Sequence, residues 1–193
     1  MTKEPVVCHL PSPIEMRMPL EQALGRRRSS REFSSAPLDL PILSALLWAC
    51  AGNNLPDGHR TVPSAMDCRE VEAYVVNEKG AWRYAPSDNT LTLVASGDLR
   101  PATTGGQDFV HTAPVTLVFV YDKTKSEALT GDGVLLCVSV DAGCMVQAAQ
   151  LACAAMGLAS VPRAWFDSEK LRLAMGLDAN QVPLMALTVG FPA

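Results

Sequence analysis

The chain has 193 residues, 48% of them hydrophobic and 19% charged, with a net charge of −4 and a pI near 5.3. That length and apolar content support one domain, residues 1–193, with a sizeable core that needs no staples. The acidic balance disfavours broad binding to nucleic acid or an anionic membrane, and six cysteines without a C-x-x-C pair disfavour a structural zinc site.

Residues 1–18 read as an extended N-terminal arm, with Pro5, Pro11 and Pro13 interrupting any periodicity. Met1 to Leu10 lacks the apolar centre of an export signal, and no run reaches the ~18 apolar residues of a membrane span. Cys50, Cys137 and Cys153 sit in apolar stretches and are expected as buried thiols. The expected location is cytoplasmic, unless an export signal has been removed.

Leu20 to Arg27 is a short amphipathic helix running into Arg26-Arg27-Arg28-Ser29-Ser30-Arg31, with Phe33 closing the cluster. Guanidinium forks and small hydroxyls so close together suit one small phosphorylated ligand. The other reading is a solvated turn, or basic residues complementing the C-terminal end of a helix.

Asp39 is placed as an N-cap, with Pro41 in the first turn of a helix through Cys50 that Gly52-Asn53-Asn54 stops. Val71 to Asn77, Ala81 to Tyr84 and Leu91 to Val94 form a strand and hairpin pattern. A Gly/Thr-rich loop covers residues 96–112. Pro114 to Tyr121 is an almost unbroken apolar run, expected as a central strand buried on both faces.

Ala142 to Met156 is a helix whose plainly polar residues are Gln147 and Gln150. Apolar on all sides, it should be buried on all sides, partly by a second subunit. Gly157 ends it, Leu158 to Val161 is extended, and Asp167 or Ser168 caps a helix from Glu169 to Met175. Val182 to Val189 is the last strand. The order of elements is α+β.

Together these segments resemble the nitroreductase-like FMN flavoproteins. Arg27-Arg28-Ser29-Ser30-Arg31-Glu32-Phe33 is similar to that family's R-R-S-x-R-x-F opening, and Leu46 to Gly52 to its L-L-W-A-A-x-G helix. Arg60-Thr61-Val62-Pro63-Ser64-Ala65 resembles R-T-x-P-S-A. Asp141-x-Gly143-x-x-x-Gln147, with Met156 to Val161, resembles its long dimer helix and following strand, and Val189 to Pro192 its closing V-G-Y-P.

The resemblance implies a mostly antiparallel sheet flanked by helices and a homodimer built on the long helix. Two FMN molecules would sit at the subunit interface, reduced by NADH or NADPH, with hydride passing by flavin N5 to a nitroaromatic, quinone or other organic acceptor. By the same resemblance, Arg27, Arg28 and Ser29 would hold the phosphate and ribityl end. Arg31 would stabilise charge at the pyrimidine edge. Pro63, Ser64 and Ala65 would line the flavin from the partner chain. Asp67, where the family usually has Asn, would place a carboxylate beside it. Pro162, Arg163, Ala164 and Trp165 would cover the ring, with the Ala164 backbone N–H at N5. The resemblance leaves open a flavin-binding storage or sensing module without turnover. It also leaves open other chemistries of the family: dehalogenation, azoline oxidation and flavin destruction.

Overall fold

The computed structural model of the protein describes residues 4–54 and 57–193. The first three residues of the expected arm lie outside the described residues. The rest of the arm is extended as expected and pairs at one point, where Val7–His9 (β1) forms an edge strand. Two helices follow, Leu20–Arg26 (α1) and Leu40–Ala51 (α2). α2 starts after Asp39 and stops at Gly52, whose N–H bonds the Trp48 carbonyl. Asp39 flanks the helix without a side-chain capping bond. Pro41, at the second helical position, lacks one of the N–H groups that such a cap engages.

Val71–Asn77 (β2), Gly80–Ala85 (β3) and Thr90–Ser96 (β4) form an antiparallel meander. Asn77 Oδ1 closes its first turn by accepting from the N–H groups of Lys79 (2.9 Å) and Gly80 (3.1 Å). β1 adds to the far side of β4, with Val7 opposite Thr92. The segment expected as a loop over 96–112 contains a 3₁₀ turn at Arg100–Thr103 and a one-turn helix, Phe109–Thr112 (α3).

Val115–Asp122 (β5), Val134–Ala155 (α4), Ala159–Arg163 (β6), Ser168–Ala174 (α5) and Gln181–Gly190 (β7) complete the chain. The seven strands lie in the order β1-β4-β3-β2-β5-β7-β6, and every adjacent pair is antiparallel. β5 is buried on both faces, as its apolar run predicts. Leu117 and Phe119 join the core formed with Leu46, Leu47 and Met145, while Val118 and Val120 pack with Leu171 and Met175. Side chains alternate along a strand, so one strand feeds both cores. α2 and α4 thus cover one face of the sheet and α5 the other.

α4 begins roughly two turns before the expected Ala142. Over the expected Ala142–Met156 span, Ala142, Met145 and Ala149 are buried within one protomer and Gln147 is exposed, while on the added first turns Leu135, Leu136 and Val140 are 65%, 69% and 54% exposed. At 22 residues it is also long and apolar enough by mean composition to cross a membrane, a test that a largely buried core helix passes as well, and Ser139, Asp141, Gln147 and Gln150 interrupt its apolar run. Its buried face packs on α1, α2 and the sheet. Cys50 and Cys153 are fully buried, and burial pushes their thiols up to about 12. Cys137, expected with them, is only partly buried because it lies on the less covered first turns of α4.

Candidate functional site

α1 delivers the arginine cluster to the start of β6. The Ser30 N–H bonds the Ser160 carbonyl (2.9 Å), Ser29 bridges to Ser160, and Ser34 N–H bonds the Phe191 carbonyl (2.9 Å). The basic segment is therefore stapled to β6 and to the end of β7. Between them lies a cavity of about 370 Å³, lined by Arg26, Arg27, Arg28, Ser30, Gln150 and the Gly157–Ser160 turn. Among the described residues, no carboxylate lies within 4.0 Å of Arg26, Arg27, Arg28 or Arg31. Gln150 is 4% exposed, and its Nε2 is buried without a partner among the described residues. A buried amide donor without a partner is costly. Guanidiniums lacking counter-ions beside such a donor fit the phosphate and polar chain of a phosphorylated cofactor.

The loop from Pro63 to Arg69 is built differently. Met66, Asp67 and Arg69 all have left-handed φ (52°, 53° and 53°), which is uncommon for residues other than glycine. Such backbone persists only where its surroundings hold it. Here Asp141, reaching from α4, accepts from the Ala65 N–H at 2.7 Å. Ser64 Oγ donates to Glu70 Oε2 (3.0 Å) and accepts from the Arg69 N–H (2.8 Å). Glu70 is fully buried, and its other oxygen has no partner among the described residues. Burial pushes its carboxyl above the usual range, opposed by the bond from Ser64 and reinforced by the adjoining Asp141 carboxyl. Asp67 is paired in two-pronged fashion with Arg69 (2.8 and 3.0 Å), which holds its carboxyl below the usual range. The negative charge expected at residue 67 is thus offset within its own loop. Pro63, Ser64 and Asp67 border a second cavity, of about 400 Å³.

The far end of β6 leads into Ala164 and Trp165, both exposed, Trp165 to 77%. With Gly105 and Phe166 they line a third, open hollow. Gly105 (φ +54°) lies so close that a Cβ there would stand 2.7 Å from the Trp165 carbonyl carbon. Pro162 and Arg163 belong to β6 itself. The Arg163 side chain is 4% exposed and turns inward. It donates to Thr188 Oγ1 (3.0 Å), to the Thr103 carbonyl and to Thr103 Oγ1 (3.3 Å), and lies 6.0 Å over the Phe109 ring. Burial pushes this guanidinium down to about 10.

The structure therefore gathers the predicted residues into three groups. Arg27 and Arg28 share the cavity at the start of β6, with Ser29 and Arg31 on the same segment but outside its lining. Pro63, Ser64, Ala65 and Asp67 form a separate loop group, and Pro162 to Trp165 run along β6 away from the arginines. Sequence reasoning missed Gln150 as a cavity residue, and missed the Glu70–Asp141 support of the loop. An amide on an otherwise apolar helix was the one signal for the former, and Gln147 gave the same signal without lining the cavity. The latter depends on the Asp141–Ala65 bond, which joins residues 76 apart in sequence, and had none.

A seven-stranded antiparallel sheet covered by α2 and α4, with a basic cavity beside its β6 edge, is the nitroreductase fold, an α+β architecture of flavin-dependent oxidoreductases. The model of the Nitroreductase family matches residues 24–191, and the chain belongs to that family. A Methanocaldococcus jannaschii protein with a provisional nitroreductase name is 29% identical over 181 residues, covering 89% of this chain and 90% of its own. The crystal structure of a provisionally named nitroreductase from Ralstonia eutropha superimposes with a TM-score of 0.91 at 38% identity, covering 97% of this chain and 90% of the other. One from Anabaena variabilis, similarly named, gives 0.84 at 22% identity, covering 98% of this chain and 42% of the other, and so shares the fold alone.

Proposed function

We propose that the protein is an FMN-dependent oxidoreductase that takes reducing equivalents from NADH or NADPH and passes them to an organic acceptor such as a nitroaromatic or a quinone. The observation that carries this reading is the cavity at the start of β6, where arginines without counter-ions meet the unpartnered Gln150 amide. FMN, when bound, supplies the acceptance and donation of hydride. Arg27 and Arg28 bind its phosphate end, with Ser29 beside them, and Arg31 offers a cation where negative charge builds on reduction. Ala164 presents its backbone N–H at the reacting edge, Pro162, Arg163 and Trp165 flank it, and Trp165 narrows access for the acceptor. Pro63, Ser64, Ala65 and Asp67 reach the cofactor from a second copy of the chain. The whole chain acts as one domain within that homodimer. Its six unpaired cysteines suit a reducing compartment such as the cytoplasm.

The test is FMN titration of apo-protein, followed by anaerobic addition of NADH or NADPH. The parent protein turns yellow and then bleaches. Arg27→Ala weakens FMN binding roughly ten- to a hundredfold, the equivalent of about 1.5–3 kcal/mol for a charge-assisted bond. Arg31→Ala keeps the cofactor but slows bleaching, since its charge matters most in the reduced state. Binding without bleaching by either nucleotide identifies a storage or sensing module. Absence of FMN binding overturns the reading.

A further inference from the structure

Arg60 opens the R-T-x-P-S-A segment, and the flavin reading leaves it without a task. It is mostly buried between the end of α2 and the β2–β3 hairpin. Its Nη1 donates to the Val71 carbonyl (3.0 Å), but its Nε is buried with no partner among the described residues. No described carboxylate lies within 4.0 Å of it. Burial pushes this guanidinium below its ordinary value, and the nearby Arg69 does the same; Glu72, Glu70 and Asp67 offset this only from a distance. A guanidinium withdrawn from water without a counter-charge is expensive.

Beside Arg60 opens a cleft of about 160 Å³, whose charged walls are Arg60, Arg83, Lys125 and Glu72. That volume equals roughly five water molecules at ~30 Å³ each, room for one small ion. Glu72 is 5% exposed and fully occupied. Its Oε1 accepts from Arg83 Nη2 (2.7 Å) and from Lys125. Its Oε2 accepts from Arg83 Nε (3.0 Å) and the Tyr74 hydroxyl (3.2 Å). This carboxylate orients two cations but balances only one. Three cations and one carboxylate leave the cleft with positive charge in excess. Arg83 Nη1, which has no partner among the described residues, and the remaining ammonium hydrogens of Lys125 are available donors, and Arg60 adds its uncompensated charge to the wall with its Nε unpartnered behind the surface.

We propose that this cleft is an anion site, separate from the cavity at the start of β6, that binds a tetrahedral oxyanion, a phosphate group, between Arg60, Arg83 and Lys125. The site needs no flavin, and so stands or falls independently of the proposed redox activity.

The experiment titrates inorganic phosphate into the FMN-saturated protein at constant ionic strength. Binding is followed by thermal shift and by ³¹P line broadening, with chloride as control. Saturable stabilisation by phosphate and not by chloride is expected. Lys125→Met, on the partly exposed rim, should weaken binding at least tenfold without unfolding the protein, because Arg83 still pairs with Glu72. Arg60→Met should abolish it, and Arg27→Ala should leave it intact. Glycerol phosphate separates two sources of the same chemistry. Binding of the ester as well as phosphate supports the proposal and indicates a phosphorylated metabolite. Binding of phosphate alone supports it and indicates the free ion. Equal stabilisation by chloride, a response unchanged in Lys125→Met, or one lost only in Arg27→Ala would each overturn the proposal.

Discussion

Glu70 shows how one residue ties stability to pH. Its carboxyl is held above the ordinary value of 4.5, first by burial, with the Asp141 carboxyl adding to it. A raised acid keeps its proton in the folded protein over a range where the unfolded chain has lost it. Glu70 therefore costs stability progressively as pH rises from about 4.5 toward its folded value, and the loss is complete above that. Glu70→Gln retains a hydrogen-bonding head for Ser64 and removes the charge. Urea midpoints between pH 4.5 and 8 are expected to fall for the parent relative to the variant, with the variant the more stable at neutral pH. A parent-to-variant difference independent of pH would show that Glu70 is not the proton-holding group. The same residue scale explains why Asp67 departs from an amide without upsetting the loop: Arg69 takes up its charge locally.

At the scale of elements, the contact between the 96–112 segment and the end of β6 governs where Ala164 and Trp165 stand. Gly105 and Gly106 both have left-handed φ, +54° and +82°, but a Cβ on Gly106 would meet nothing within 4 Å. An alanine at either position pays about 1–2 kcal/mol for its backbone conformation. Gly105→Ala must also push back the Trp165 carbonyl and the Phe166 backbone. Both variants are expected to lose a similar few degrees in Tm from the conformational term, and Gly105→Ala to lose more. Only Gly105→Ala should slow single-turnover reduction by NADH or NADPH, with FMN affinity little changed. Equal reduction rates in the two variants would separate this contact from the chemistry.

Over the whole molecule, large apolar side chains stand more than half exposed on two helices in contact: Leu135, Leu136 and Val140 on α4, and Leu20 and Leu24 on α1. A monomer of this size rarely shows so many large apolar side chains on neighbouring elements. The proposed homodimer would cover them. Leu136→Glu is therefore expected to shift light scattering from dimer to monomer at micromolar concentration and to lower FMN retention, while circular dichroism stays native. Ala149→Glu tests something else, since Ala149 is already fully buried within one protomer. An unpaired carboxylate there should cost about 3–5 kcal/mol and unfold the protein. Native protein that is monomeric at those concentrations would remove the shared cofactor site.

Much of this arrangement is written in local pattern. The apolar run of β5, the turn at Asn77 to Gly80, the stop at Gly52 and the cap at Asp167, which accepts from the Lys170 N–H at 2.9 Å, follow from periodicity and end chemistry. The arginine cluster was legible because charge density is a property of neighbours in sequence, and the order of motifs identified the family. Other features depend on chain segments that meet only after folding. β1 exists because β4 offers it an edge, and the first turns of α4 form beyond the stretch whose composition marked it. Arg163 sits in a segment matched to the ring-covering loop, yet its side chain turns inward because Thr103 and Thr188 supply acceptors there. Asp141 holds Ala65, Gln150 faces the arginines and Arg60 borders Glu72 for the same reason. A sequence sets which hydrogen bonds and charges are available, and only the packing of distant elements decides which of them are satisfied and which are left open for a ligand.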